Sequence, residues 1–127
     1  MDVVPDPIVV KWLNRQANES IWTTSITIFE LQFGLDLMAE GRKRRALELE
    51  FQRLISEDLG NRVLEFDASA AAAAGSLAAE RQLKGKSGDI RDTQIAGIAL
   101  TRRATLATRN VRHFSDIAAP VVNPWTA

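Results

Sequence analysis

Four short stretches rich in β-formers, separated by segments of helical length and spacing, constrain this chain more than any other feature. They are Ile21-Trp22-Thr23-Thr24, Arg62 to Phe66, Thr105-Leu106-Ala107-Thr108 and Val121-Val122. Such an alternation implies βαβ units, hence an α/β fold with a central parallel sheet and helices outside it. The segments between carry their own punctuation. Asp6 is placed to cap a first helix with Pro7 at its first position, the helix running to about Gln16. Thr24 or Ser25 caps a long helix to about Glu40, and Gly41 ends it. A further helix runs from Arg42 to about Leu59. Asp67 caps an alanine-rich helix from Ala68 to about Lys84, and Gly85-Lys86-Ser87-Gly88 reads as a loop. Asp89 caps a helix ending near Arg103, and a short turn or helix surrounds Phe114. Ligands of parallel sheets bind beyond the carboxyl ends of the strands. Glu30 follows the strand at Thr24 and Asn110 follows the strand at Thr108, so the topology is expected to bring both to one rim.

At 127 residues the chain is long enough for one self-sufficient core, and without a repeat or linker it reads as a single domain, 1–127. It has no cysteine and one histidine, His113, so a disulfide framework, a thiolate zinc site and a multi-histidine site are all excluded. Any metal must be held by oxygens, which favours Mg²⁺ or Mn²⁺. The longest apolar stretch, Ile26 to Met38, is interrupted by Glu30, Gln32, Gly34 and Asp36, so no segment reaches the roughly 20 apolar residues of a membrane span. The start, MDVVPDP, lacks the basic and apolar regions of a signal peptide, and a cytoplasmic location is expected. Formal net charge is zero, so a nucleic-acid substrate would have to be gripped by local basic residues.

Two carboxylates stand where apolar residues would be expected. Glu30 interrupts SITIFELQFG, and Asp92 lies in the first turn of DIRDTQIAGIAL. Burying a carboxylate is unfavourable unless it is paired, protonated or bound to a cation. Helical spacing gives Glu30 the neighbours Ile26, Thr27, Phe33 and Gly34, where Gly34 leaves room for close approach; Asp92 shares its face with Ile95, Ala96 and Ala99. Each also has a simpler reading. Asp92 is a first-turn acid that the helix dipole favours by roughly 0.3–1 kcal/mol, in capping-box spacing from Asp89; Glu30 pairs with a lysine or arginine elsewhere. Their joint placement in a βαβ chain favours a divalent-metal site. Thr108 and Arg109, at a strand's carboxyl end, are candidate substrate contacts. The basic run Arg42–Arg45 is either a phosphate grip or a solvated face. The Ala70–Ala74 run reads as close helix packing, Trp12, Trp22 and Trp125 as core or interface, and His113 as structural.

The segments PDPIVVKWLN, IWTTSITIFELQFGL, DIRDTQIAGIAL, ATLATRNVRHF and VVNPW follow one another in an order and spacing that resembles the PIN-domain ribonucleases of the VapC/FitB type. These are the toxins of bacterial toxin–antitoxin pairs. The resemblance implies a three-layer fold, with a central parallel sheet flanked by helices, and Mg²⁺- or Mn²⁺-dependent cleavage of RNA. It carries Glu30 and Asp92 onto the family's second and third acidic ligands. Asn110 falls where many members have a further aspartate and would support the metal shell, while Thr108 and Arg109 would position the scissile phosphate. It also implies a homodimer and a small antitoxin that reaches into the acidic site, with DNA engaged only through the antitoxin. One element is unmatched: nothing before Pro5 resembles the family's first strand and its LDTN-like turn, and Asp2 does not take the place of that turn's aspartate. A fold without that central strand would leave ladder groups unpaired, at on the order of 1–3 kcal/mol each. The alternative expectation is therefore a degenerate or truncated PIN domain that serves as an antitoxin-binding or oligomerisation module.

Overall fold

Residues 21–124 are described by the structure, a computed structural model, and they fall into two units that divide between Leu64 and Glu65. The expected helix from Asp6 to Gln16, with Trp12, and also Asp2 and Trp125, lie outside the described residues.

In the first unit β1 (Thr23–Thr24) runs parallel to β2 (Val63–Leu64), with Thr23 opposite Val63 and Thr24 opposite Leu64. Thr24 then turns the chain into α1 (Ser25–Leu37): its backbone is extended, and its hydroxyl accepts from Thr27 N at 3.0 Å. The helix stops short of the expected Glu40 because Met38 is already extended, its N–H closing on Leu35 O at 3.1 Å. Gly41 precedes α2 (Arg42–Arg53). Within the basic run Arg44 binds Glu48 at 2.7 Å, Asp36 at 3.0 Å and the Met38 carbonyl at 3.3 Å, tying α2 to the end of α1. Arg42, Lys43 and Arg45 are exposed.

The α-helix expected to reach Leu59 does not persist. It widens into a π-helical turn, Leu54–Asp58, closed by Leu59 N–H on Leu54 O at 2.8 Å. Gly60 and Asn61 follow with φ of 54° and 58°, reversing the chain into β2. Arg62 secures this exit by donating from Nε to the Ile21 carbonyl at 2.9 Å and from Nη2 to that of Asp58 at 3.3 Å. Trp22 is half exposed, as are Phe29 and Phe33, whose rings stack with centroids 6.3 Å apart. Gly34 has no described atom near the position a Cβ would take, so the close approach expected there is not seen among the described residues.

The second unit is built on a helical hairpin. Asp67 caps α3 (Ala68–Leu83) by accepting from Ala70 N at 2.9 Å. Asp89 caps α4 (Ile90–Arg102) by accepting from Arg91 N at 2.8 Å and Asp92 N at 3.2 Å. The helices touch where the alanine run faces Gly97; a Cβ on that glycine would lie 2.5 Å from Ala70 O and 2.8 Å from Ala74 Cβ. The Ala70–Ala74 run thus acts as close packing. Arg102 at the end of α4 pairs with Asp67 at the start of α3 at 3.2 Å, each charge favourable to the helix end it occupies. The left-handed Arg103 (φ 53°) ends α4, and β3 (Leu106–Ala107) runs parallel to β4 (Val121–Val122), with Leu106 opposite Val121. A 3₁₀ turn, Val111–Phe114, lies between them and plants Phe114 in a core with Leu77 and Ala96, bordered by Leu106, Ile117 and Val121. The sheet expectation is met by parallel strands of two residues each, the first three shorter than the β-rich stretches and the last equal to its own, in one two-stranded ladder per unit.

Candidate functional site

Asp92 is carried at the first turn of α4, one residue after Arg91 and within reach of the capping carboxylate of Asp89. Its own carboxylate turns away along the helix end to His113, with Oδ2 2.9 Å from Nδ1. The Asp92 side chain is 19% exposed and that of His113 57%, so the pair stands at the wall of the molecule with one face open to water. It lines a cleft of about 450 Å³ that also receives Lys86, Ser87, Arg112 and Ser115.

A buried arginine organises this wall. Arg81 continues the buried stripe Ala70, Ala74, Leu77 along α3, yet it carries a charge. Each nitrogen of its guanidinium is used: Nε and Nη2 hold the two oxygens of Asp116 at 2.8 Å each, Nη1 reaches Thr93 Oγ1 at 3.1 Å, and Nη2 reaches the His113 carbonyl at 2.9 Å. The fork geometry is the one arginine offers to a carboxylate. It fastens α3 to α4 beside Asp92 and to the turn that carries His113.

The same clasp has a pH signature. The hydrogen bonds from Arg81 hold the Asp116 carboxyl below the usual carboxylate range, against the opposing effect of desolvation. A carboxylate depressed in the folded state contributes stability above its unfolded value of about 3.9, and that contribution disappears as pH falls through the lower folded value. Asp116→Asn is therefore expected to destabilise the chain by about 2 kcal/mol at pH 7, less than a fully buried pair because Asp116 keeps contact with water. Urea unfolding at pH 7 and again near pH 2–3 checks this, since the gap between parent and variant should narrow in acid.

Beyond β3, Thr108 N donates to Val122 O at 2.9 Å and Thr108 Oγ1 accepts from Asn110 N at 3.1 Å. The Asn110 carbonyl then accepts from His113 N at 3.0 Å and so opens the 3₁₀ turn. The strand end named in the sequence thus leads within a few residues to the partner of Asp92. Thr108 is half-buried, while Arg109 and Asn110 are exposed. Glu30 is half-buried on α1 of the first unit, less enclosed than a core position, beside half-buried Ile26, Thr27 and Gly34 and exposed Phe33.

Three residues of this wall are not among the site residues that the sequence suggests: His113, expected to be structural, and Arg81 and Asp116. Arg81 did leave a signal: it falls on the same helical stripe as Ala70, Ala74 and Leu77, where a cation requires a buried partner. For a metal, the carboxylates of Glu30 and Asp92 and the amide oxygen of Asn110 are hard oxygen donors. Among the described residues no group of three or more aspartate, glutamate, histidine or cysteine side chains converges. Carboxylate and amide oxygens are the donor type that suits Mg²⁺ or Mn²⁺.

Comparison with known proteins shows the family. The model of the PIN domain family matches residues 5–120. The plasmid stability protein StbB of Pseudomonas syringae pv. tomato is 33% identical over 123 residues, 97% of this chain and 88% of that protein. The VapC ribonuclease Y4jK of Sinorhizobium fredii and the toxin FitB of Neisseria gonorrhoeae are each 31% identical over 121 residues; both alignments cover 95% of this chain, and 86% and 87% of the relatives. Among solved structures, FitAB bound to an IR36 DNA fragment superposes with a TM-score of 0.84 at 30% identity, over 95% of this chain and 85% of that one.

Proposed function

The chain belongs to the PIN domain family, and from that premise we propose that it is a divalent-metal-dependent endoribonuclease, the toxin of a toxin–antitoxin pair. The observation that carries the reading is Asp92: a half-buried carboxylate at the positive end of α4, open to a cleft that also holds Lys86 and Arg112. Glu30 and Asp92 are the residues that would hold Mg²⁺ or Mn²⁺, with Asn110 in support. When bound, such an ion supplies Lewis-acid stabilisation of charge on a phosphate. The chain's own part is to present Asp92 at a fixed angle and to receive the RNA backbone on nearby cations and on Thr108 and Arg109. The fold is the PIN-like α/β fold, and we take residues 1–127 to act as one domain.

The names of the relatives support part of the partner reading. VapC Y4jK is named a ribonuclease, FitB a toxin, and FitAB is seen on DNA. For this chain we propose an RNA substrate, a cognate antitoxin, a homodimer, and contact with DNA only through the antitoxin. Among the described residues no helix is long and apolar enough to cross a membrane, which suits the cytoplasmic location we assign. One observation favours a second reading: Asn110 is a neutral amide and brings no charge to the site. On that reading the chain is a degenerate PIN domain that binds an antitoxin or a second copy without cutting RNA.

Incubation of the full chain with a mixed RNA pool and Mg²⁺ or Mn²⁺ separates the two. Cleavage lost on chelation and in Glu30→Gln supports the nuclease. A folded parent chain that leaves the RNA intact supports the binding module.

A further inference from the structure

The pairing of Asp92 with His113 joins the first turn of α4 to a turn twenty-one residues further along the chain, and both ends are held. Asp92 is fixed by α4. His113 is fixed by its backbone: its N–H is bound to the Asn110 carbonyl at 3.0 Å, its own carbonyl receives Arg81 Nη2 at 2.9 Å, and the next residue, Phe114, is 2% exposed in the core. The imidazole of an otherwise solvent-facing side chain is thereby brought to one oxygen of the carboxylate. An ionised carboxylate only accepts hydrogen bonds, so the hydrogen of this contact belongs to Nδ1. The bond engages Oδ2, and Asp92 lines the cleft. Nothing in the packing of the turn requires an imidazole at position 113, since the core contact is made by Phe114 and the Arg81 contact by the backbone.

We propose that His113 is a positioning residue for Asp92, donating from Nδ1 to Oδ2 so that the carboxylate is held in one orientation, in which it would take a divalent cation. The proposal rests on the reading of Asp92 as a cation ligand. Partners of this kind, one bond removed from the ion, typically change affinity or activity by 10–100-fold when removed. The role belongs to Nδ1 alone, and amide side chains can separate the two ring nitrogens. An asparagine places its NH₂ near the position of Nδ1, and a glutamine places its NH₂ near that of Nε2.

The test is Mn²⁺ alone, titrated into the full chain and followed by calorimetry, for the parent, His113→Ala, His113→Asn, His113→Gln and Asp92→Asn. His113→Ala should bind Mn²⁺ on the order of tenfold more weakly, with a melting temperature close to the parent's because the imidazole is largely exposed. His113→Asn should recover most of the affinity, and His113→Gln should not. Parent-like affinity in His113→Ala would overturn the proposal, as would recovery by glutamine and not asparagine, which would assign the role to Nε2. If the parent itself neither binds Mn²⁺ nor loses anything in Asp92→Asn, the reading of Asp92 fails first and the role of His113 falls with it. That outcome is distinct from a parent that binds normally and ignores position 113.

Discussion

Asp92→Asn is expected to lower Mg²⁺- or Mn²⁺-dependent cleavage of RNA at least about a hundredfold, which corresponds to roughly 2.7 kcal/mol of transition-state stabilisation. The substitution removes one negative charge and almost no volume. The amide oxygen can still accept from His113 Nδ1, and the cap of α4 is made by Asp89, so the helix start survives. The helix-dipole contribution lost with the charge is worth only about 0.3–1 kcal/mol. Activity and stability should therefore separate, with cleavage lost and the thermal melt nearly superposed on the parent's. Rate measurements on the RNA pool beside circular-dichroism melts read both quantities. Undiminished cleavage in this variant would remove Asp92 from the reaction and point to another site or to a contaminating nuclease.

The largest effect on folding is expected at Gly97. A methyl group there would sit 2.5 Å from the carbonyl oxygen of Ala70 and 2.9 Å from the backbone nitrogen of Ala74, distances at which real atoms do not rest. The obstacle is backbone, so no rotamer change relieves it, and α3 and α4 must move apart. Gly97→Ala is expected to lose about 2–3 kcal/mol, outweighing the roughly 1 kcal/mol by which alanine favours a helix over glycine. For a chain of this size the melting temperature should fall by about 10 °C. Gly75→Ala is the control, because a Cβ on Gly75 meets no described atom, and it should be neutral or slightly stabilising. Equal behaviour of the two variants would mean that the helices do not approach each other as closely as Gly97 requires.

The sequence was most legible where one physical rule acts alone. Asp67 and Asp89 announce helix starts because an extended residue with a short acceptor satisfies free N–H groups, and both do so here. The order of strands and helices, and the parallel pairing, followed from the spacing of apolar residues. Legibility failed where two segments distant in sequence meet. The π-helical turn at Leu54–Asp58 leads into the chain reversal that Arg62 ties to Ile21, forty-one residues away, a contact no local pattern encodes. His113 could not be assigned to Asp92 because an imidazole on a turn carries no sign of what lies opposite. Among the five site residues named from the sequence, Thr108 and Asn110 prove to be bonded to each other and Asn110 leads into the turn of His113. Glu30, on α1, is positioned by the first unit.

The two ladders differ in what they ask of an unfolded chain. Pairing Thr23 with Val63 closes a loop of forty residues, whereas pairing Leu106 with Val121 closes one of fifteen. The difference in closure entropy is roughly 0.9 kcal/mol in favour of the shorter loop. The shorter loop also contains the turn of Phe114, and the helices it packs against are neighbours in sequence. Low sequence separation of this kind speeds the search for native contacts. In kinetic terms, the wall that carries Asp92 and His113 belongs to the part of the chain with the shortest distance to travel. The β1–β2 ladder must wait for a slower encounter between its two strands.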